Sequence, residues 1–497
     1  MKSNLLDKEV LCIYDIRGIQ KYIFESNNNR DIIGSNYILG RILQDSISHA
    51  MQQILNHNEY CINYESNLDD VPYFYDDNIK TQIIEIGPGK ASMLYRTGRI
   101  CQAATRIIKR YFLENTYSLQ IASAAVEKTD KMSHDFDKLN DELDRVKNSS
   151  PYSIPFGALP IARKEKISAL PVTGFDEITG EEISRKSLFR RDYSKSKSDS
   201  RNNINIEKQA FIYIDGNSME ITIAKFLSLS HDYISQIKII RHMNEHIQHK
   251  IMGALSNTEK FLDNKMSHNG QNFIENYCRL NIGGDDVNVI CHADYAMDFV
   301  EIFVNEISRS PLWNDEKTGE IYFTVCAGIG YTTGIKDFGL GLRLAEQCCG
   351  NAKKEAKKTA NLINGRPGNW LDFQISNDKY IDDVDAERES SYKISRSKNL
   401  CLRPYCLDES RKDMPDYYGN LKEYIRVFSE NIRSDSIRKE FRDAYLLNPE
   451  MINILLLKYR DLFGENLDIL GRPYISVQGR EGLFAAWYDA LELITRG

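Results

Sequence analysis

Paired cysteines and long apolar runs are both missing from this 497-residue chain. Its cysteines stand at positions 12, 61, 101, 278, 291, 326, 348, 349, 401 and 406 with no CxxC among them, which excludes a zinc ribbon and a secreted disulfide framework. The vicinal pair Cys348-Cys349 therefore reads as two buried helical thiols, and no zinc is expected. No apolar stretch approaches the roughly 20 residues needed to span a bilayer. Met1-Lys2-Ser3-Asn4 leads into a strand-like segment rather than a signal peptide, so a cytoplasmic location without membrane partners is expected. Histidine is scarce, and His134-Asp135 and His231-Asp232 are isolated dipeptides without the further ligands of an HD phosphohydrolase. Neither sign of charge dominates. A net charge of -7 argues against coating nucleic acid by bulk electrostatics and suits small anionic substrates held by metal ions. With 42% hydrophobic and 27% charged residues the chain has the composition of a globular protein, and its length predicts three or four domains.

What is present is a pattern that occurs twice. Val10 to Phe24 carries an apolar strand that ends at Asp15 and turns through Gly18 into a helix. Gln82 to Tyr95 gives two apolar arms around Gly87-Pro88-Gly89-Lys90, a helix bearing Ile100, Ala103, Ala104, Ile107, Ile108, Tyr111 and Phe112 follows, and a strand spans about Leu119 to Val126. The second passage repeats this order. Phe211 to Ile223 sets Asp215 at the end of an apolar strand, and Arg279 to Cys291 is a hairpin with a glycine-rich turn. Asp294 is placed to cap a helix carrying Phe299, Ile302, Phe303 and Ile307, and Ile321 to Tyr331 reads as the closing strand. Asp15 and Asp215 are 200 residues apart, and Gly87 and Gly283 are 196 apart, so an internal duplication is expected. Strand, helix, hairpin, helix, strand is the order of a split βαβ, ferredoxin-like sheet, the topology of a polymerase palm.

The fold expected is α+β: a first palm over residues 1–130, a helical connector over 131–207, a second palm over 208–378 and an α-helical domain over 379–497. The run Tyr193 to Asn203, rich in Ser, Lys and Arg, reads as a flexible linker. Arg185, Lys186, Arg190, Arg191, Lys195, Lys197 and Arg201 are either RNA- or partner-facing or simply a solvated face. Leu421 to Phe441 and Glu450 to Phe463 read as helices, with no further strand pairs beyond Asp382.

Two-metal nucleotidyl transfer needs carboxylates that hold cations about 3.5–4 Å apart. A palm supplies one acid at the end of its first strand and others in the neighbouring hairpin turn. Asp215 and the pair Asp285-Asp286 have that arrangement and are the candidate catalytic and metal-binding residues. Gly283 and Gly284 let the turn pass close to a ligand. The amides of Gly216, Asn217 and Ser218 are candidates to cradle a triphosphate. Lys353, on a helix predicted over Leu340 to Lys358, faces either phosphate or solvent. The bland alternative is an exposed β-turn, for which Gly-Gly-Asp-Asp is ordinary chemistry.

These residues resemble the large polymerase-like subunit of type III CRISPR effector complexes, whose members carry two palms with GGDD in the second. The likeness covers residues 9 to about 378. It implies that Asp215, Asp285 and Asp286 bind two Mg²⁺ or Mn²⁺ ions, and that ATP is condensed into cyclic oligoadenylate or AMP is joined to another small molecule in antiviral defence. It further implies that Lys353 approaches phosphate and that the first palm holds an acceptor ATP, with Ser35 in contact with nucleotide and Gly87 and Gly89 in the hairpin. The implied partners are guide or target RNA and other effector subunits. Gly87-Pro88-Gly89-Lys90 lacks the acids of the active motif, so one active site per chain is expected. The region around Leu170 to Arg191 has no cysteines, so a zinc module is not expected, nor is an N-terminal HD nuclease. Two other readings stay open at this point. One is a GTP-using dinucleotide cyclase, although Val287 stands where a GGDEF-type motif has Phe. The other is a catalytically silent scaffold, which would have no use for three crowded acids.

Overall fold

The computed structural model describes residues 5–495 except 24, 27–28, 63–66, 88, 150–160, 167, 196–207, 229, 231, 268–272, 274–275, 316–318, 334–337, 361–366, 378 and 448–449. It divides into two compact units, the first comprising residues 1–203, 218–249 and 280–284 and the second 204–217, 250–279 and 285–497.

The chain opens with β1 (Val10–Arg17), α1 (Ile19–Ile23), α2 (Asn29–Ile54), β2 (Tyr60–Cys61), β3 (Thr81–Ile86), β4 (Lys90–Tyr95), α3 (Gly98–Thr116), β5 (Gln120–Glu127) and α4 (Met132–Ser149). Local chemistry accounts for these elements. Val10 to Tyr14 are fully buried, as a central strand covered on both faces requires. In α3 the Thr97 hydroxyl accepts from the Ile100 amide, and Cys101, Ala104, Ile108 and Phe112 recur at helical spacing on the buried face. The strands form one sheet in the order β2-β3-β4-β1-β5, with β1 antiparallel to both β4 and β5. Leu11, Ile13, Leu94, Ala122, Leu139 and Ile237 lie in its core.

Next come β6 (Val172–Phe175), β7 (Glu182–Ser184), α5 (Arg185–Lys195), β8 (Lys208–Gly216), α6 (Met219–Leu227), α7 (Tyr233–Ser267), β9 (Tyr277–Gly283), β10 (Asp286–His292) and α8 (Ala296–Ser308). After them follow β11 (Trp313–Asp315), β12 (Gly319–Ile321), β13 (Val325–Thr333), α9 (Phe338–Thr359) and β14 (Trp370–Asn377). A six-stranded sheet has the order β17-β14-β13-β8-β10-β9, where β17 is Tyr405–Cys406. Here β8 is antiparallel to β10 and β13. In both sheets the first strand lies between the second arm of the hairpin and the closing strand, which is the duplicated ferredoxin-like order expected.

The remaining elements are α10 (Val384–Ser391), β15 (Lys393–Ser395), β16 (Lys398–Asn399), α11 (Tyr418–Asn431), α12 (Asp435–Leu447), α13 (Met451–Lys458), α14 (Arg460–Phe463), α15 (Leu467–Leu470), β18 (Tyr474–Ile475), β19 (Leu483–Ala485) and α16 (Tyr488–Ile494). Phe428, Phe441, Tyr445, Phe463 and Trp487 form their aromatic core.

Several expectations need correction. The closing strand Ile321 to Tyr331 is two elements, β12 and β13, because β12 pairs instead with β11. Asp294 does not cap α8: the His292 side chain accepts from the Asp294 amide one turn earlier, and the cap position of α8 makes no side-chain bond. Leu421 to Phe441 breaks between α11 and α12. The region beyond Asp382 also holds strands, of which β15, β16, β19 and β18 form a four-stranded sheet of very short members, too brief to show an alternating pattern.

The largest correction concerns the basic run. Residues 196–203 of the expected linker lie outside the described residues, but Tyr193 to Lys195 close α5. Lys186, Arg190 and Arg191 are neither solvated nor surface-facing; each is about 2% exposed. Arg191 bonds Asp31 Oδ1 at 2.9 Å and Asp176 Oδ2 at 2.6 Å, while Lys186 and Arg190 meet Glu25. Buried cations are tolerated only when paired, and α2 supplies Asp31.

Candidate metal and nucleotide site

The pairing of Val287 with Ile214 brings Asp286, the first residue of β10, beside Asp215 at the end of β8. The tight turn between β9 and β10 consists of Gly284 and Asp285. Gly284 has φ +64 and Asp285 does not share that sign, which is the II′ pattern that only glycine enters freely at this position. Asp215, Asp285 and Asp286 thereby offer one carboxylate oxygen each within 4.8 Å of one another, and among the described residues theirs is the one acidic or His/Cys cluster with metal-binding geometry.

The charges in this cluster are poorly matched. Burial and then the repulsion of Asp215 and Asp285 push the Asp286 carboxyl up to about 7. Tyr213 donates its hydroxyl to Asp286 Oδ1 at 3.3 Å. Its own ionisation is driven far above the usual tyrosine range by burial and by the charges of Asp286 and Asp215, so it stays a donor. The Lys353 ammonium on α9 contacts Asp215 Oδ2. Burial opposes its charge, but the bond and attraction to Asp215 outweigh this and hold it above the ordinary lysine value. One cation thus faces three acids. A site with such an acid excess and oxygen donors fits a hard divalent cation, Mg²⁺ or Mn²⁺.

The other predicted residues divide. Gly216 is required by close approach: a Cβ there would stand 2.8 Å from Asp285 Oδ2 and 2.9 Å from the Phe323 ring. It makes room for a carboxylate. Asn217 is not a phosphate donor, because its amide already donates to Thr324 O at 2.8 Å and its Nδ2 to Gly368 O at 3.0 Å. Ser218 has φ 56, and its carbonyl accepts from the Thr222 amide at the start of α6. Gly283 closes β9. Ser35 does not face nucleotide: it is fully buried in α2 and its Oγ donates to Asp31 O at 2.6 Å. Gly87 and Gly89 do occupy the hairpin of the first sheet, where Gly87 N donates to Lys90 O and Ile16 N to Gly89 O, both at 2.8 Å.

Two residues escaped the sequence reading. Tyr213 was detectable as the residue two before Asp215, hence on the same face of β8. Lys147 on α4 binds Asp15 Oδ2 at 3.0 Å, and Lys90 pairs across the strands with Asp15. The acid of the first sheet that corresponds to Asp215 is therefore held by a lysine, with a second lysine at the paired backbone position.

No family model and no curated protein matches the chain. Among solved structures, the Csm1–Csm4 cassette in complex with cA3 matches with a TM-score of 0.53 at 13% identity, covering 99% of this chain and 70% of that one. The cassette with AMPPNP matches with a TM-score of 0.52 at 12% identity, over 100% and 70% of the two chains. The chain has the Csm1 fold. Csm1 is the type III CRISPR large subunit, so the architecture is the one that the tandem palms and GGDD motif resemble. The cassette with one ATP also shares it, with a TM-score of 0.50 at 13% identity over 99% of this chain and 70% of that one. At such identities the Csm1 likeness speaks for the fold, and the chemistry has to be argued from the side chains.

Proposed function

We propose that this protein is a metal-dependent nucleotidyltransferase that condenses ATP into cyclic oligoadenylate, or joins AMP to another small molecule, as the large subunit of a type III CRISPR-like defence complex. The observation that carries the reading is the convergence of Asp215, Asp285 and Asp286 within 4.8 Å, with Lys353 beside them. When bound, a pair of Mg²⁺ or Mn²⁺ ions would lower the pKa of an attacking 3′-hydroxyl and offset charge on the triphosphate. The protein's own residues supply the rest. The three carboxylates hold the cations, and Tyr213 orients Asp286 by donating to one of its oxygens. Lys353 stands against Asp215 and offsets part of its charge, and from there its ammonium would be offered to the phosphate oxygens of a bound nucleotide. Gly216 and Gly284 keep the backbone close to the reacting groups.

The first palm, with Asp15 paired to Lys147, lacks a comparable acid cluster among the described residues and is assigned a nucleotide-holding role only. One active site per chain follows. Further effector subunits are partners this reading entails, and the matched solved structures of a two-subunit cassette support that; guide or target RNA enters from the resemblance alone.

The test is incubation of purified protein with labelled ATP or GTP and Mn²⁺, with products separated by mass, beside an Asp285→Ala/Asp286→Ala control. Oligonucleotide or AMP-conjugate products that the control lacks support the reading and identify the base. GTP-only products would favour the dinucleotide cyclase. Silence, both alone and in an assembled complex with target RNA, would leave the scaffold.

A further inference from the structure

Lys353 does not reach Asp215 by its own length alone; the helix that carries it has to be held in one rotation. Ala352, Ala356 and Thr359 bury one face of the last turns of α9. Residues two apart on a helix project about 200° from each other, so Lys353 and Glu355 point to opposite sides. Glu355 is a buried acid on the side away from Asp215, with a side chain 9% exposed.

The exposed Lys358, three residues along the same helix, lies 3.7 Å from Glu355 Oε2, and the buried partner of Glu355 comes from the segment between β18 and β19. Arg480 Nε donates to Glu355 Oε1 at 3.2 Å. The same guanidinium is anchored three further ways. Nη1 donates to Leu402 O, Nη2 donates to Pro404 O at 2.9 Å, and Nη2 lies 3.5 Å from Asp416 Oδ2. Asp416 is in turn held through both oxygens by Arg411 Nη2, at 2.8 and 2.9 Å. Arg480 is thus fixed to the C-terminal module on one side and grips α9 with its remaining face.

A buried ion pair is weak as a stabiliser, because desolvation offsets most of the attraction; its best-attested use is to specify one arrangement. Here the arrangement specified is the rotation of α9. A side-chain tip about 8 Å from a helix axis moves about 1.4 Å when the helix turns by about 10°. Misplacement on that scale costs about a hundredfold in a positioned reaction.

We infer that Arg480 and Glu355 are positioning residues: the C-terminal module, through Arg480, sets the rotation of α9 and so holds the Lys353 ammonium on Asp215. The inference rests on the role given to Lys353 above, and it makes the C-terminal module a place from which the site can be tuned.

The test reads the position of Lys353 directly. Full-length wild type, Arg480→Gln, Glu355→Gln and Arg480→Lys are treated briefly with an amine-acylating reagent, and modification of Lys353 and of the neighbouring exposed Lys354 is followed by mass spectrometry. In wild type Lys353 is protected relative to Lys354. Arg480→Gln and Glu355→Gln raise its labelling at least threefold, while Arg480→Lys, which keeps the charge and loses the fork, falls between. In the turnover assay kcat drops about tenfold or more and KM for nucleotide changes little. Unchanged Lys353 labelling in Glu355→Gln, which alters a single charge and keeps the fold, overturns the inference. So does loosened Lys353 with undiminished kcat. If wild type itself turns over no nucleotide, the proposed function fails, and labelling still decides the clamp.

Discussion

Lys147 reaches Asp15 Oδ2 at 3.0 Å, and Lys353 reaches Asp215 in the same way. Each lysine lies on the helix that follows the closing strand of its sheet, and each acid ends or nearly ends the first strand. The duplication therefore preserved an acid-lysine contact in both copies, and only the second added Asp285 and Asp286 beside it. The second copy therefore gathers three acids around its lysine, where the first has an acid-lysine pair.

The raised Asp286 carboxyl makes the empty fold pH-sensitive. Its folded value, about 7, lies above the ordinary aspartate value of 3.8, so the unfolded chain ionises first. The acid form costs nothing at pH 4; the penalty grows as pH rises toward 7 and is complete above it. Asp286→Asn is expected to raise the melting temperature by roughly 2–5 °C at pH 8 in chelator and to change it little at pH 4. Mn²⁺ should stabilise wild type at pH 8 and leave the variant unmoved, as differential scanning fluorimetry would read.

Removing the Tyr213 hydroxyl deprives Asp286 of its donor while keeping the ring. Tyr213→Phe should lower turnover and Mn²⁺ affinity by about 10-fold, in the range found for groups that orient metal ligands, with circular dichroism unchanged.

Arg191 should behave as a core residue. Arg191→Ala leaves buried Asp31 with the Ser26 hydroxyl but no guanidinium, and Asp176 with Arg30 in place of two arginines, and should destabilise the first unit by about 3 kcal/mol in denaturant unfolding. Although burial opposes ionisation of Asp176, the amides of Thr179 and Ile178 and the Arg191 guanidinium outweigh it and hold its carboxyl well below the usual range. The stability it contributes is present above the unfolded value near pH 4 and lost as pH falls below it. Acid unfolding of this unit should therefore shift to higher pH in Asp176→Asn, as followed by tryptophan-independent circular dichroism.

Asp15→Asn provides the contrast. Its ion pair with Lys147 is partly exposed, so the loss should be about 1 kcal/mol or less. Mn²⁺ stoichiometry should not change.

The residues that were legible share a feature. Asp215 ends an apolar run, and Asp285 and Asp286 sit in a glycine turn between two largely apolar arms, so pattern alone located them, and the repeat of that pattern exposed the two palms. Lys353 was legible only as a charge on a helix, because its partner is set by the sheet. The basic run misled for a related reason. Arg191 bonds Asp31, 160 residues earlier, and Asp176, 15 residues earlier; neither separation falls within the window in which charge patterning is read. Ser35 and Asn217 had suitable chemistry, but backbone carbonyls within reach had already taken their hydrogens. The short strands beyond Asp382 hold too few residues to carry a period.

The claim on which the account rests is that Asp215, Asp285 and Asp286 form one metal centre. Electron paramagnetic resonance of metal-stripped protein titrated with Mn²⁺ in the presence of a non-hydrolysable ATP analogue tests it most directly. The account predicts two ions per chain with the signature of an exchange-coupled pair, lost in Asp286→Ala. Uncoupled, weak binding that is the same in wild type and in the variant would contradict it.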